Sequence, residues 1–144
     1  MERSSTAVWR GAGTDGIGRL TTQSGAFHDQ PYSSHSRFAS EDGKAGTNPE
    51  ELIAAAHAGC FAMALSYQLS GAGHPPEELR AKAHVKLEKG ADGFSITGIR
   101  LEVEGHVPGI TAAAFEELAQ KAKAGCPVSR VLASVPITLA AKLA

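Results

Sequence analysis

The sequence predicts an α+β protein in which antiparallel sheets wrap around central helices, in the order βββ-α-ββ-α-α-β. Three observations predict this class. Short alternating stretches broken by glycine turns come first, a long apolar helix follows over residues 47–70, and the second half mixes two long strands, two helices and a last strand. The chain has 144 residues and is expected to form one domain, residues 1–144.

Three short strands should form an N-terminal antiparallel meander. They are predicted at residues 7–10, 17–23 and 32–38. Gly11 ends the first strand, residues 13–16 and 24–25 have turn composition, and Pro31 precedes the third strand. The polar segment 41–46 then leads to the central helix.

The central helix has a clear start signal. Asn48 is a good N-cap, Pro49 falls at the first helical position, and Glu51 falls where its side chain can return a bond to the cap. The residues that follow are apolar nearly all the way round, up to Gly71. A helix of this kind is usually buried on every side.

The second half predicts five further elements. They are strands at residues 79–89 and 94–103, a helix at 112–124, a short helix around 129–132 and a strand at 135–141. The apolar pattern of the second strand changes phase at Gly98, which indicates a β-bulge. Thr111 is a plausible cap for the longer helix.

Charge and composition argue against several classes of function. The net charge is −1 and the basic residues are dispersed, so we expect no nucleic-acid partner. The first residues do not resemble a signal peptide, and the apolar run 52–67 is short for a membrane span and contains His57. We therefore expect a cytoplasmic protein with no membrane partner.

The two cysteines are the candidate chemical groups. Cys60 lies in the middle of the central helix, three residues after His57, so the two share a helical face. Cys126 precedes Pro127 at a helix start, where amide donors favour a thiolate. Taken alone, these residues allow inert core thiols, a metal site, a redox pair or a Cys60/His57 acyl-transfer pair.

Two segments carry a resemblance to a known family. GTNPEELI with AAHAGCF, over residues 46–61, and KAKAGCPVS, over residues 121–129, resemble the OsmC/Ohr family of thiol-dependent hydroperoxide reductases. The likeness extends over residues 7–139. It implies that Cys60 is the reactive thiol, that Cys126 is the resolving thiol, and that Glu50 is the family's acidic residue.

The arginine of the site distinguishes the two branches of the family. The Ohr branch has an Arg-Asp pair after the first strand, where this chain has Thr14-Asp15. The OsmC branch has its arginine late in the third strand in a Tyr…Arg-Phe context, which Tyr32 and Arg37-Phe38 match. The resemblance thus indicates an OsmC-like protein with Arg37 as the cation, and Arg19 as the second choice.

The resemblance implies a peroxidase that reduces organic hydroperoxides, and hydrogen peroxide less efficiently, to alcohols and water. The route passes through a Cys60 sulfenic acid and a Cys60–Cys126 disulfide, which an external dithiol of the lipoyl type reduces. No metal, flavin or haem cofactor is expected. The alternatives are a Cys60/His57 acyl-transfer enzyme and a non-catalytic dimer that binds apolar ligands.

Helix geometry predicts an intertwined homodimer. Glu50 and Cys60 are separated by about 15 Å along a continuous helix, which is too far for one arginine to link them in the same chain. The apolar helix also needs more cover than one chain offers. If two such helices pack antiparallel across a two-fold axis, each site combines Cys60 and Cys126 of one chain with Glu50 and Arg37 of the other.

Overall fold

A computed structural model describes all 144 residues and confirms the α+β class and the predicted element order, with one additional short helix. The chain divides into two compact units, Met1–Leu52 and Ile53–Ala144. The boundary falls inside the central helix, α2, which spans Pro49–Gly71.

The first unit contains an antiparallel sheet in the order β1-β2-β3. Its strands are β1 (Ser5–Arg10), β2 (Ile17–Thr22) and β3 (Gln30–Ser33). The predicted meander is therefore present, but its third strand ends earlier than expected.

The residues after β3 form a short helix, α1 (Ser34–Phe38), so the prediction of a strand up to residue 38 was wrong there. The cause is a local capping box. Ser33 Oγ accepts from the amide of Ser36 at 3.0 Å, and Ser36 Oγ accepts from the amide of Ser33 at 2.9 Å. Arg37 consequently lies in a helix and not at the end of a strand.

Helix α2 begins as predicted, because Asn48 Oδ1 accepts from the amide of Glu51 at 2.9 Å. The Glu51 carboxylate instead accepts from the hydroxyl of Thr47 at 2.8 Å. Beyond its first turn, one face is fully buried through Phe61, Leu65 and Leu69. This face forms part of the core of the second unit.

The opposite face of α2 is uncovered, so the expectation of burial on every side does not hold for a single chain. Met63 is 63% exposed and Tyr67 is 75% exposed. By length and apolar composition, α2 is also the one helix that could cross a membrane, a property that core helices of soluble proteins share. In a single chain, α2 therefore presents an exposed apolar face that carries Met63 and Tyr67.

The second unit contains a mixed sheet in the order β4-β5-β6. Strand β4 (Glu78–Gly90) pairs antiparallel with β5 (Gly93–His106), whereas β6 (Ile137–Leu143) pairs parallel with β5. The expectation of a purely antiparallel sheet was wrong for this last pair. Two helices connect β5 to β6 and form the crossover that parallel neighbours require.

The predicted bulge is present in β5. Lys86 pairs with Gly98 and Leu87 pairs with Ile96, so Thr97 is the additional residue, next to the predicted glycine. The bulge restores the inward direction of the apolar side chains after the change of phase.

The two connecting helices are α3 (Ala112–Gly125) and α4 (Pro127–Val131). Thr111 caps α3 as predicted, with Oγ1 accepting from the amide of Ala114 at 3.2 Å. The core includes residues of α2, β5 and α3 together with Cys126, which separates α3 from α4 and has no exposed surface. Cys126 is thus fixed by packing as well as by its place in the chain.

Candidate active site

The second unit brings the two cysteines together. Cys60 on α2 and Cys126 at the start of α4 are both free thiols, and their sulfur atoms are 3.0 Å apart. Cys126 is fully buried, whereas Cys60 is partly exposed. This pair has the geometry of a dithiol that can close to a disulfide with little movement.

The surroundings of Cys60 favour its thiol form. Burial raises the pKa of Cys60, and the hydrogen bond shared with Cys126 raises it further. The backbone of Val128 acts in the opposite direction but does not reverse the shift. No lysine or arginine is among the groups that act on this thiol.

The surroundings of Cys126 favour its thiolate. Burial acts to raise the pKa of Cys126, but the Cys60 thiol, the amide and hydroxyl of Ser129 and the amide of Val128 together lower it below its usual value. The amides of Val128 and Ser129 lie in the first turn of α4, where backbone N–H groups have no carbonyl partner within the helix. The expectation that a helix start would favour a thiolate at Cys126 agrees with this shift.

His57 bonds to Ser129 and not to Cys60. It has no exposed surface; Nε2 is 2.7 Å from Ser129 Oγ, and Nδ1 has no partner. Burial lowers the pKa of His57, so the ring is neutral near pH 7. Neither ring nitrogen therefore serves as a base on Cys60, which the acyl-transfer alternative requires.

Ser129 was missed in the sequence analysis. Its signal was its place three residues after Cys126, which mirrors the place of His57 three residues before Cys60. Only the structure shows that these two partners meet across 72 positions of sequence.

The first unit holds the other two predicted site residues as an ion pair. Arg37 donates from Nη2 to Glu50 at 2.7 Å and from Nε to both carboxylate oxygens at 3.2 Å. The Glu50 side chain is nearly buried, while 35% of the Arg37 side chain is exposed. This is the planar fork expected of an arginine held by a carboxylate.

The second choice for the cation, Arg19, has a different role. Its Nη1 donates to the backbone carbonyl of Asp29 at 3.1 Å, within the β2–β3 region. The guanidinium of Arg37 also lies 4.9 Å from the ring centroid of Phe38, which adds a second support for its position.

Known proteins are similar to this chain over most of its length. Residues 41–140 match the family model for OsmC-like proteins. Peroxiredoxin OsmC of Escherichia coli is 49% identical over 132 residues, covering 92% of this chain and 90% of that protein.

Solved structures agree with the fold. The hydroperoxide resistance protein OhrB of Bacillus subtilis has a TM-score of 0.71 at 26% identity and covers 98% of both chains. An OsmC protein of Legionella pneumophila has a TM-score of 0.76 at 24% identity, over 96% of each chain, and shows the fold. With the cysteine motifs and the family match, these findings establish that this chain belongs to the OsmC/Ohr family, in its OsmC-like branch.

Proposed function

We propose that this protein is a thiol-dependent peroxidase that reduces organic hydroperoxides to alcohols and water. The observation that carries the proposal is the pair of free thiols with sulfur atoms 3.0 Å apart in an apolar setting. Relatives named peroxiredoxin OsmC and organic hydroperoxide resistance protein support the same chemistry.

In the first step, the Cys60 thiolate attacks the outer oxygen of the hydroperoxide. The O–O bond breaks, the alkoxide leaves and takes up a proton as the alcohol, and Cys60 becomes a sulfenic acid. The Cys126 thiolate then attacks the Cys60 sulfur, and hydroxide leaves as water. An external dithiol, of the lipoyl type, restores both thiols and is itself oxidised to a disulfide. This cycle uses no metal, flavin or haem.

Arg37 is proposed to supply the charge that Cys60 needs. Burial and Cys126 raise the pKa of Cys60 by more than the backbone of Val128 lowers it, and no lysine or arginine is among the groups that act on this thiol. A guanidinium beside the sulfur would reverse this shift and would bind the oxygen under attack. Glu50 holds that planar guanidinium in a fixed orientation.

A second copy of this chain is the proposed occupant of the uncovered face of α2. That face carries Met63 and Tyr67 and includes Gly59, where an added Cβ would meet nothing within 4 Å. A helix without a side chain at its centre allows close approach of a second helix. Each site would then use Cys60 and Cys126 of one chain with Glu50 and Arg37 of the other.

The proposed substrates are organic hydroperoxides, with hydrogen peroxide reduced less efficiently. Apolar side chains adjoin both sulfurs in the core of the second unit, and such surroundings favour an apolar organic group over water. The proposed location is the cytoplasm, where reducing conditions keep both thiols free between cycles.

Thiol counting tests the peroxidase. One equivalent of cumene hydroperoxide should remove two titratable thiols per chain, and a dithiol should restore both. Unchanged thiols would indicate a non-catalytic module. Loss of one thiol that no dithiol restores would contradict the role of Cys126.

Mixed dimers test the shared site. Cys60→Ser and Glu50→Ala chains are each expected to be nearly inactive. When they are mixed and allowed to exchange, half of the sites in each mixed dimer should combine the intact residues of both chains. No recovery of activity would contradict sharing, even if the thiols of the wild type react as proposed.

A further inference from the structure

Two contacts join the same two helices in the second unit. Cys60 and Cys126 form one, with sulfur atoms 3.0 Å apart, and His57 and Ser129 form the other, with Nε2 and Oγ 2.7 Å apart. His57 and Cys60 are three residues apart on α2, and Cys126, the N-cap of α4, is three residues before Ser129, so the two contacts lie within one helical turn of each other. The proposed peroxidase cycle uses the Cys60–Cys126 contact and gives no role to the His57–Ser129 contact.

The direction of the His57–Ser129 hydrogen bond follows from burial. His57 is neutral and carries one N–H, and its Nδ1 has no partner. If Nδ1 held the proton, a buried donor would be left unpaired, which is rarer and more costly than an unpaired acceptor. We therefore assign the proton to Nε2, which donates to Ser129 Oγ.

This assignment frees the hydroxyl proton of Ser129. Since Ser129 Oγ accepts from His57, its own hydrogen is available for another acceptor, and Cys126 is the neighbour on the same first turn of α4. The hydroxyl of Ser129 is indeed among the groups that lower the pKa of Cys126.

We propose that His57 and Ser129 are positioning residues for the resolving thiol: His57 orients the Ser129 hydroxyl, which then donates to the Cys126 sulfur whenever that sulfur carries charge. The inference rests on the proposed function, because it assigns the second contact to the resolution step of that cycle.

The charge on Cys126 matters twice in the cycle. In resolution, the Cys126 thiolate attacks the Cys60 sulfenic sulfur and hydroxide leaves. In reduction, a thiolate of the external dithiol attacks the more accessible Cys60 sulfur, the Cys60–Cys126 bond breaks, and Cys126 leaves with the electron pair. The second thiol of the reductant then closes its own disulfide and releases Cys60. A donor at Cys126 favours both steps.

No charged group competes with this donor. The groups that act on Cys126 are the Cys60 thiol from α2 and the Val128 and Ser129 donors of α4, and no charged side chain of α3 or the sheet is among them. Burial is the cause of the lowered pKa of His57, and no charged side chain contributes to it. The nearest basic residue in sequence, Lys123, is directed elsewhere, since its Nζ donates to the carbonyl of Ile137.

The first test titrates Cys126 without any peroxide. In a Cys60→Ser background only one thiol remains, and thiolate absorbance at 240 nm against pH reports its pKa. Adding Ser129→Ala should raise that pKa by roughly one unit, since the sulfur loses a hydrogen bond to its charged form. Ser129→Thr keeps a hydroxyl and should restore the lower value, while Ser70→Ala is the matched control at an exposed serine.

The second test follows resolution in chains that keep both cysteines. Trapping of the Cys60 sulfenic acid against time should show that Ser129→Ala slows its loss about threefold at pH 7, because the smaller thiolate fraction is partly offset by higher nucleophilicity. His57→Leu removes the orienting donor and should have the same effect, and it replaces Ser129→Ala if that variant does not fold. His57→Gln keeps a donor and should recover most of the rate.

An unchanged pKa and an unchanged lifetime in Ser129→Ala and His57→Leu would overturn the inference while the peroxidase stands. A wild type that does not consume hydroperoxides, combined with a raised pKa in Ser129→Ala, would overturn the proposed function and leave the donor assignment intact.

Discussion

In the first unit Arg37 and Glu50 form a charged pair with three hydrogen bonds, whereas in the second unit Cys60 and Cys126 face each other among apolar side chains. The first unit contains no cysteine. Within the second unit, burial and the bond to Cys126 raise the pKa of Cys60. The second unit therefore brings the two sulfurs together, whereas the charge proposed to activate Cys60 belongs to a residue of the first unit.

The two sulfurs differ in how their surroundings shift their pKa values. Donors at the start of α4 lower the pKa of the buried Cys126, while burial and the shared hydrogen bond raise that of Cys60. Without a nearby cation, the proton shared by the two sulfurs therefore stays on Cys60, and Cys126 is the sulfur that becomes a thiolate first. Cys60 can therefore act as the nucleophile only if a cation lies beside it, and Arg37 is the proposed source of that charge.

Removing the positive charge of Arg37 should have the largest effect on the rate of the reaction with hydroperoxide. Arg37→Met is expected to slow the oxidation of Cys60 by about 100-fold to 1000-fold, because both the thiolate and the attacked oxygen lose their cation. Arg37→Lys should recover only part of the lost rate, since a lysine cannot form the planar fork with Glu50. Hydroperoxide consumption under single-turnover conditions measures the rate.

Arg19→Met is the matched control for this experiment, because Arg19 donates to a backbone carbonyl and not to Glu50. If Arg19→Met slows the reaction while Arg37→Met does not, Arg19 and not Arg37 supplies the charge to Cys60.

Placing charge on the uncovered face of α2 should have the next largest effect. Met63→Glu is expected to weaken self-association about 100-fold, because a carboxylate would be buried at the centre of the helix pair. Sedimentation velocity over a dilution series measures the shift. Ala113→Glu adds the same charge at an exposed position of α3 and should leave association unchanged. A monomeric wild type would contradict the shared site.

The buried imidazole should make stability depend on pH. Burial lowers the pKa of His57 below 6.5, so at lower pH the unfolded chain binds a proton that the folded chain does not. The free energy of unfolding should therefore fall as the pH drops below 6.5, by up to about 1.4 kcal/mol per pH unit. Urea unfolding between pH 5 and pH 7.5 measures the slope.

His57→Gln removes this titration and should flatten the slope. His84→Gln is the comparison variant, because the pKa of His84 is also lowered, by burial and by Arg100 and Lys82, but its side chain is 34% exposed. A larger flattening in His84→Gln than in His57→Gln would contradict the burial of an uncharged His57.

The smallest effect should come from the helix caps. Asn48→Ala and Thr111→Ala each lose a side-chain acceptor for a backbone amide and should each lower the free energy of unfolding by about 1 kcal/mol. Only Asn48 lies beside Glu50, so only Asn48→Ala should also slow the reaction with hydroperoxide. Equal effects on rate would contradict a role for the start of α2 in orienting Glu50.

Features that depend on a few neighbouring residues were predictable from the sequence. The caps at Asn48 and Thr111 and the bulge beside Gly98 are local, and each appears where its pattern indicated. The cysteine motifs also identified the family, and the resemblance named Arg37 and Glu50, which form an ion pair in the structure.

Features that depend on competing or distant interactions were not predictable. The segment after Pro31 was expected to continue as a strand, but the hydroxyls of Ser33 and Ser36 each accept from the other residue's backbone amide, and this capping box starts α1. The direction of β6 depends on how the chain crosses back after α4, which no single segment encodes. The partner of His57, Ser129, lies 72 positions further along the chain, so neither segment alone indicates that the two side chains meet.

The short separation of the two sulfurs has a consequence for survival under oxidative load. Because the two sulfurs are 3.0 Å apart, capture of the sulfenic acid by Cys126 in the proposed cycle would need no loop movement and would proceed at a high effective molarity. A second molecule of oxidant must compete with that neighbour before it can drive Cys60 to the irreversible sulfinic form. We expect the protein to resist inactivation by hyperoxidation for as long as its reductant lasts.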